Sequence, residues 1–186
     1  MPTTRLPGGC PIQPNEETIL PPVLSIVGKS ESGKTTLIET LIPELKRRGY
    51  RVGVVKHAHH GFDLDRPGKD SYRHRQAGAN AVMIASSGQM ALVKEIPGER
   101  LADLVPYFED MDLLITEGFK RDAAPKIEVF RAARHRQPAC LDDPTLVAMV
   151  SDTPYPLSVP CFSPDDTAAI AAFIVSRFLS DPENGI

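Results

Sequence analysis

A chain of 186 residues with 21 Lys and Arg against 24 Asp and Glu is long enough to bury a core as one domain. Its net charge of −3 lacks the basic excess that marks nucleic-acid or anionic-membrane binding. Cys10, Cys140 and Cys161 are odd in number, far apart and form no Cys-x-x-Cys, which argues against a disulfide framework or zinc knuckle and for a reducing compartment. No apolar run approaches membrane-spanning length and the first residues lack a hydrophobic signal core, so the expectation is a cytoplasmic protein with neither nucleic acid nor membrane as partner.

Residues 1–22 hold Pro2, Pro7, Pro11, Pro14, Pro21 and Pro22 with little apolar content and read as a disordered leader; 23–186 read as a single domain. The apolar run Val23-Leu24-Ser25-Ile26-Val27 predicts a strand buried in a parallel sheet. After it, Gly28-Lys29-Ser30-Glu31-Ser32-Gly33-Lys34-Thr35, continued by Thr36, fits the phosphate-loop pattern G-x-x-x-x-G-K-[ST] without a mismatch. Leu37, Leu41 and Leu45 then recur at helical spacing up to a stop at Gly49, with Pro43 predicting a kink.

Further on, 51–55 predicts a second strand, completing a βαβ unit. Lys56 to Gly68 reads as an ordered functional loop, and a short helix follows from Asp70 to about Ala77. Two strands, 81–85 and 90–93, flank a Ser86-Ser87-Gly88 turn. A helical period covers 99–108, and strands are expected at 112–116, 127–130 and 146–150. The chain closes in an amphipathic helix over 165–179, introduced by Ser163-Pro164-Asp165. Alternating strands and helices predict an α/β fold with a largely parallel sheet.

Strand, glycine loop and helix together aim backbone N–H groups and a helix N-terminus at phosphates, so the expected ligand is a nucleoside triphosphate with Mg²⁺. Lys34 is placed to reach the β- and γ-phosphates and the Thr35 hydroxyl to ligate the metal. A second metal anchor is usually an acid at the end of a buried strand. Glu117 follows such a strand directly; Asp70 either joins the metal site or starts its own helix. Lys34, Glu117 and Asp70 are therefore the candidate catalytic residues, and Thr35, Glu117 and Asp70 the candidate metal ligands.

The loop Lys56-His57-Ala58-His59-His60-Gly61-Phe62-Asp63-Leu64-Asp65 leaves the strand expected beside the phosphate loop. Its histidines lack helical metal-binding register, so Lys56 and His57 are read as phosphate or partner-substrate contacts. Asp63 and Asp65 are read as water-positioning or outer Mg²⁺ groups. A guanine signature N-K-x-D is absent, but Asp152 after the strand 146–150 is placed to accept from guanine N1 and N2; a turn is the alternative. Arg131-Ala132-Ala133-Arg134-His135-Arg136 is the one candidate for the arginine lid of a small-molecule kinase, and reads instead as an exposed linker.

Taken together, several segments resemble the molybdopterin-guanine dinucleotide biosynthesis protein B (MobB) family. They are Gly28 to Thr36, Lys56-His57 with His59-His60 and Asp63-x-Asp65, and Pro67-Gly68-Lys69-Asp70-Ser71 through Arg75-Gln76-Ala77-Gly78-Ala79. Ile115-Thr116-Glu117-Gly118-Phe119-Lys120, Lys126-Ile127-x-Val129-Phe130-Arg131 and Ser151-Asp152 complete the set. The resemblance spans about residues 23–180. It implies a three-layer P-loop NTPase-type α/β fold, a homodimer, and GTP binding with weak GTPase activity. It also implies an accessory role beside the guanylyltransferase that joins GMP to molybdopterin. In related dimeric P-loop ATPases a lysine at the position of Lys29 contacts the partner's nucleotide, but Ser30 replaces the glycine that normally follows; a solvated lysine is the simpler expectation.

Overall fold

The computed structural model describes residues 19–58, 61–62 and 65–179. In chain order its elements are β1 (Val23–Val27), α1 (Lys34–Arg47), β2 (Val52–Lys56), α2 (Asp70–Gln76), β3 (Ala81–Ser86), β4 (Gln89–Lys94), α3 (Leu101–Leu104), β5 (Leu113–Glu117), β6 (Lys126–Phe130), β7 (Leu146–Ser151), β8 (Cys161–Phe162) and α4 (Thr167–Phe178). Six strands form a parallel sheet in the order β2-β5-β1-β6-β7-β8, while β3 and β4 pair antiparallel as a separate hairpin.

Strands β1, β5 and β7 are near-continuous apolar runs because both faces of the sheet are covered there. On one face, Leu37, Ile38, Leu41 and Leu45 of α1 and Ile170, Ala171 and Ile174 of α4 meet Leu24, Ile26, Leu113, Ile115, Ile127 and Val129. The alternate residue Leu114 points the other way and packs with Leu101, Val105 and Phe119, flanked by Val23 and Val55. The result is a three-layer, P-loop NTPase-like α/β fold whose second helical layer is short. No helix among the described residues is long and apolar enough to cross a membrane.

Local chemistry explains where the elements end. Gly49 takes φ 91° after α1, and the N–H groups of Gly49 and Tyr50 donate to the carbonyls of Lys46 and Leu45, a Schellman closure of the helix. The helix continues through Pro43. The single helix expected over 99–108 is instead the one-turn α3 followed by a 3₁₀ turn over Val105–Phe108. Pro106 supplies no N–H to continue an α-helix. The last helix starts at Thr167, because the Asp166 carboxylate accepts from the N–H of Ala169 and caps it there. Strand β8 is two residues long, too short to leave a periodic signal, and 1–18 of the expected leader lie outside the described residues.

Gly53 on β2 is a packing constraint. A Cβ there would lie 2.5 Å from Phe108 Cδ1 and 3.2 Å from Met111 Cγ, both on the cover of the second face. Gly53→Ala should therefore overpack this layer and cost about 1–3 kcal/mol. Thermal unfolding should drop by roughly 2–4 °C for each kcal/mol. An unchanged melting midpoint would mean that Phe108 is not held against β2.

Candidate functional site

The loop after β1 is shaped by two glycines. Gly28 has φ 142°, and a Cβ on it would lie 2.4 Å from the Val129 carbonyl oxygen of β6, so only glycine lets the neighbouring strand come this close. Gly33 has φ 99° and leads into α1, whose first helical bond runs from the Leu37 N–H to the Gly33 carbonyl. The first amides of α1 thus face the loop, which makes its N-terminus an anion site. The Ser32 side chain is fully buried, and its hydroxyl has no hydrogen-bond partner among the described residues.

Four side chains predicted from the sequence converge here. Lys34 Nζ donates to the Lys29 carbonyl at 2.8 Å, folding its ammonium back over the loop. Thr35 Oγ1 donates to Glu117 Oε1 at 2.8 Å, so the first turn of α1 and the end of β5 are joined through the two expected metal-ligating oxygens. Lys56 Nζ stands 3.8 Å from Glu117 Oε2. Burial lowers the Lys34 pKa from its ordinary value, the Glu117 charge opposes this, and the Lys56 charge adds to it. A partly desolvated cation beside a helix N-terminus favours an anionic ligand.

Beside the loop lies a cavity of about 870 Å³, lined among others by Gly28, Lys34, His57, Glu99, Glu117 and Phe119. His57 sits on its wall. The His57 ring stacks on Phe119 at 4.6 Å and its Nε2 is 2.8 Å from Glu99 Oε2, while the His57 backbone N–H donates to the Glu117 carbonyl. Gly118 turns the chain at φ 103°, which lets His57 lie close against it.

The other expected residues fall elsewhere. Asp70 is the first residue of α2, exposed and 3.6 Å from Arg73 Nη1, and does not line the cavity. Its carboxylate suits the N-terminal end of that helix dipole. Asp65 accepts from Ser71 Oγ at 2.8 Å and pairs with Arg75 at 3.8 Å, which fastens α2 to the preceding loop. Asp63, His59 and His60 lie outside the described residues. Glu31 (φ 59°) and Ser30 belong to the loop; Thr36 is exposed on α1. Asp152 Oδ1 accepts from the Ala132 N–H at 3.0 Å, so β7 ends against the segment that follows β6. Among the described residues no group of three or more His, Cys, Asp or Glu is placed to hold a metal ion.

That segment, expected as an exposed linker, lies against the phosphate loop. Lys29 Nζ donates to the Gln137 carbonyl at 2.8 Å, and His135 Nε2 is 2.9 Å from the Ser30 carbonyl, which can only accept. Arg134 stands 3.6 Å from Glu31, and the Arg131 guanidinium lies 3.3 Å from where a Gly33 Cβ would be. Sequence reasoning missed this because only the pairing of β6 with β1 brings residue 131 beside residue 33. The signal lay in the run of basic residues directly after a strand.

The family model described as molybdopterin guanine dinucleotide synthesis protein B matches residues 23–152. The chain is 41% identical over 160 residues to the molybdopterin-guanine dinucleotide biosynthesis adapter protein of Escherichia coli (strain K12), covering 83% of this chain and 91% of that one. It is 40% identical over 141 residues to the protein of the same name from Haemophilus influenzae (strain ATCC 51907 / DSM 11121 / KW20 / Rd), covering 74% and 78%. The crystal structure of a molybdopterin-guanine biosynthesis protein B (mobB) is similar with a TM-score of 0.64 at 34% identity, covering 83% of this chain and 98% of that one. On this match and these identities, the chain belongs to the molybdopterin guanine dinucleotide synthesis protein B (MobB) family.

Proposed function

We propose that the protein is an adapter in molybdopterin guanine dinucleotide biosynthesis that binds GTP with Mg²⁺, hydrolyses it slowly, and works as a homodimer beside the guanylyltransferase. The observation that carries the nucleotide reading is the convergence of Lys34, Thr35 and Glu117 at the carboxyl ends of β1 and β5. Thr35 Oγ1 and Glu117 Oε1 are hard oxygen donors 2.8 Å apart, a pair suited to Mg²⁺, which would neutralise triphosphate charge when bound. Lys34 would turn from the Lys29 carbonyl to the β- and γ-phosphates. Such a site works by positioning and charge neutralisation, which fits slow turnover.

The adapter role follows the names of the relatives and the cavity beside the loop. Its His57–Phe119 stack next to Lys34 suits a flat, anionic second ligand such as molybdopterin, or the partner enzyme itself. A small-molecule kinase is the second reading, since the arginine-bearing segment after β6 does lie at the phosphate loop. Turnover raised by small acceptors would favour the kinase, and turnover raised by the guanylyltransferase alone would favour the adapter.

The homodimer is supported by the β3–β4 hairpin. It exposes Met83, Ile84 and Met90, and both its outer edges are unpaired among the described residues. A two-stranded sheet is marginal alone, and an apolar ribbon of this kind calls for a partner surface.

Nucleotide titration in Mg²⁺ and in EDTA tests the site. Lys34→Ala should remove a charge-assisted contact of roughly 1.5–3 kcal/mol, or about 10- to 100-fold in GTP affinity. Thr35→Ala and Glu117→Gln should each weaken binding in Mg²⁺ and change little in EDTA. His57→Ala should leave GTP affinity intact and reduce stimulation of guanylylation. A folded Lys34→Ala protein with wild-type affinity would remove the nucleotide reading, and equal losses with and without Mg²⁺ would remove the metal assignment. For the hairpin, the double substitution Met83→Glu and Met90→Glu should convert a dimer to a monomer in light scattering. A wild-type chain that is monomeric at every concentration contradicts the dimer.

A further inference from the structure

We propose that Arg131 is a nucleotide-binding residue that grips the α- and β-phosphates from the side of the loop opposite Thr35 and Glu117, a proposal resting on the nucleotide reading above. The first support is position. Strand β1 has β5 on one side and β6 on the other, so Glu117 and Arg131 flank the phosphate loop from opposite sides. The Arg131 guanidinium packs against Gly33, the residue that opens α1; a Cβ at Gly33 would lie 3.3 Å from Nη2 and 3.4 Å from Nε. Thr35 and Glu117 would hold Mg²⁺ on their side of the loop, where it would neutralise triphosphate charge. Arg131, across the loop, would face the other end of the triphosphate.

The second support is charge. Among the described residues Arg131 forms no ion pair, whereas its neighbour Arg134 stands 3.6 Å from Glu31. Its guanidinium is always charged, and its planar fork of donors matches phosphate oxygens. Lys34 projects into the same loop, whose two nearby carboxylates already face other cations: Glu31 faces Arg134 and Glu117 faces Lys56. An anion between Lys34 and Arg131 completes the charge balance.

The third support is the way the segment is held. Both of its ends are fixed to β6. Arg131 directly follows Phe130, and the far end returns so that the N–H groups of Ala139 and Cys140 donate to the two oxygens of the buried Glu128. Between these ends, Asp152 accepts from the Ala132 N–H, and the N–H groups of Arg134 and His135 donate to the Arg131 carbonyl. The loop's Lys29 side chain donates to the Gln137 carbonyl and His135 meets the Ser30 carbonyl, which closes the segment onto the loop. The root of the Arg131 side chain is thus set before any ligand arrives, which lowers the ordering cost of binding.

The test is calorimetric titration of the full chain with GTP, GDP and GMP. Arg131→Ala should weaken GTP and GDP by the same factor, roughly tenfold, as expected for a charge-assisted phosphate contact. Arg131→Lys should fall between wild type and Arg131→Ala, because a point charge replaces a planar fork. Arg136, exposed on the same segment, is the control, and Arg136→Ala should leave both affinities unchanged. Should Arg131→Ala fail to fold, Arg131→Gln serves in its place, judged by its melting curve. A loss confined to GTP would assign Arg131 to the γ-phosphate and overturn the proposal. Unchanged affinities, or an equal loss from Arg136→Ala, would overturn it as well. A wild-type chain that binds none of the three nucleotides overturns this proposal together with the nucleotide reading. Wild-type binding that is lost in Lys34→Ala and kept in Arg131→Ala overturns this proposal alone.

Discussion

Strand β1 is hydrogen-bonded on both sides by parallel partners, and everything at the site is aligned by those two ladders. Against β5 the register sets Ile26 beside Glu117; against β6 it sets Val27 beside Glu128. All three strands run the same way, so their carboxyl ends open onto one edge of the sheet, the place where ligands of parallel α/β sheets sit. The burial that fixes this register is nearly complete: Leu24, Ile26, Leu113, Ile115 and Ile127 are fully buried. A one-residue slip would turn each of these side chains to the wrong face, so the core that holds the sheet together also aims Glu117 at Thr35.

Strand β6 carries two buried charges in the middle of this apolar frame, and each is answered. Lys126 is almost fully buried, and its ammonium meets the Asp122 carbonyl, the Thr145 hydroxyl and the Asp143 carboxylate, the last at 3.1 Å. Glu128 is buried to the same degree and accepts two backbone N–H groups. Isolated charges in such a place would be expensive; satisfied on every side, they act as fixed struts between β6 and the loops around it. The Cys140 thiol beside Glu128 is pushed up to about 11, mainly by burial and then by the Glu128 and Asp143 charges. It stays a neutral, unreactive thiol in this corner.

What the sequence disclosed follows the range over which its physics acts. The phosphate loop is legible because its conformation is local: Gly28 and Gly33 adopt backbone angles that other residues resist, and Lys34 and Thr35 follow them directly. Glu117 is legible because it ends an apolar run. The helix expected over 99–108 erred by giving the apolar period more weight than Pro106. The segment after β6 is exposed over 131–134 and at 136, as expected, but its docking on the phosphate loop went unread for a different reason. Its charges look like a solvated surface, and only a strand pairing across some hundred residues lays them on the loop. Lys126 and Glu128 were hidden likewise, since their partners, at 122, 139, 140, 143 and 145, come from turns whose folding no periodicity reveals.

The double rooting of the Arg131–Cys140 segment in β6 separates two properties that usually travel together. For a loop closed on one strand, doubling its length adds only about 0.6 kcal/mol of closure entropy, so insertions near its apex should hardly trouble the folded state. Yet the turn from Arg131 to His135 and the tether of Ala132 to Asp152 act on its first few residues alone. The segment is therefore most permissive in length at its apex, between His135 and the tie of Gln137 to Lys29, and strict in geometry before it. A longer or shorter excursion at that apex would keep the same aim at the phosphate loop, while a single residue inserted next to Phe130 would lose it.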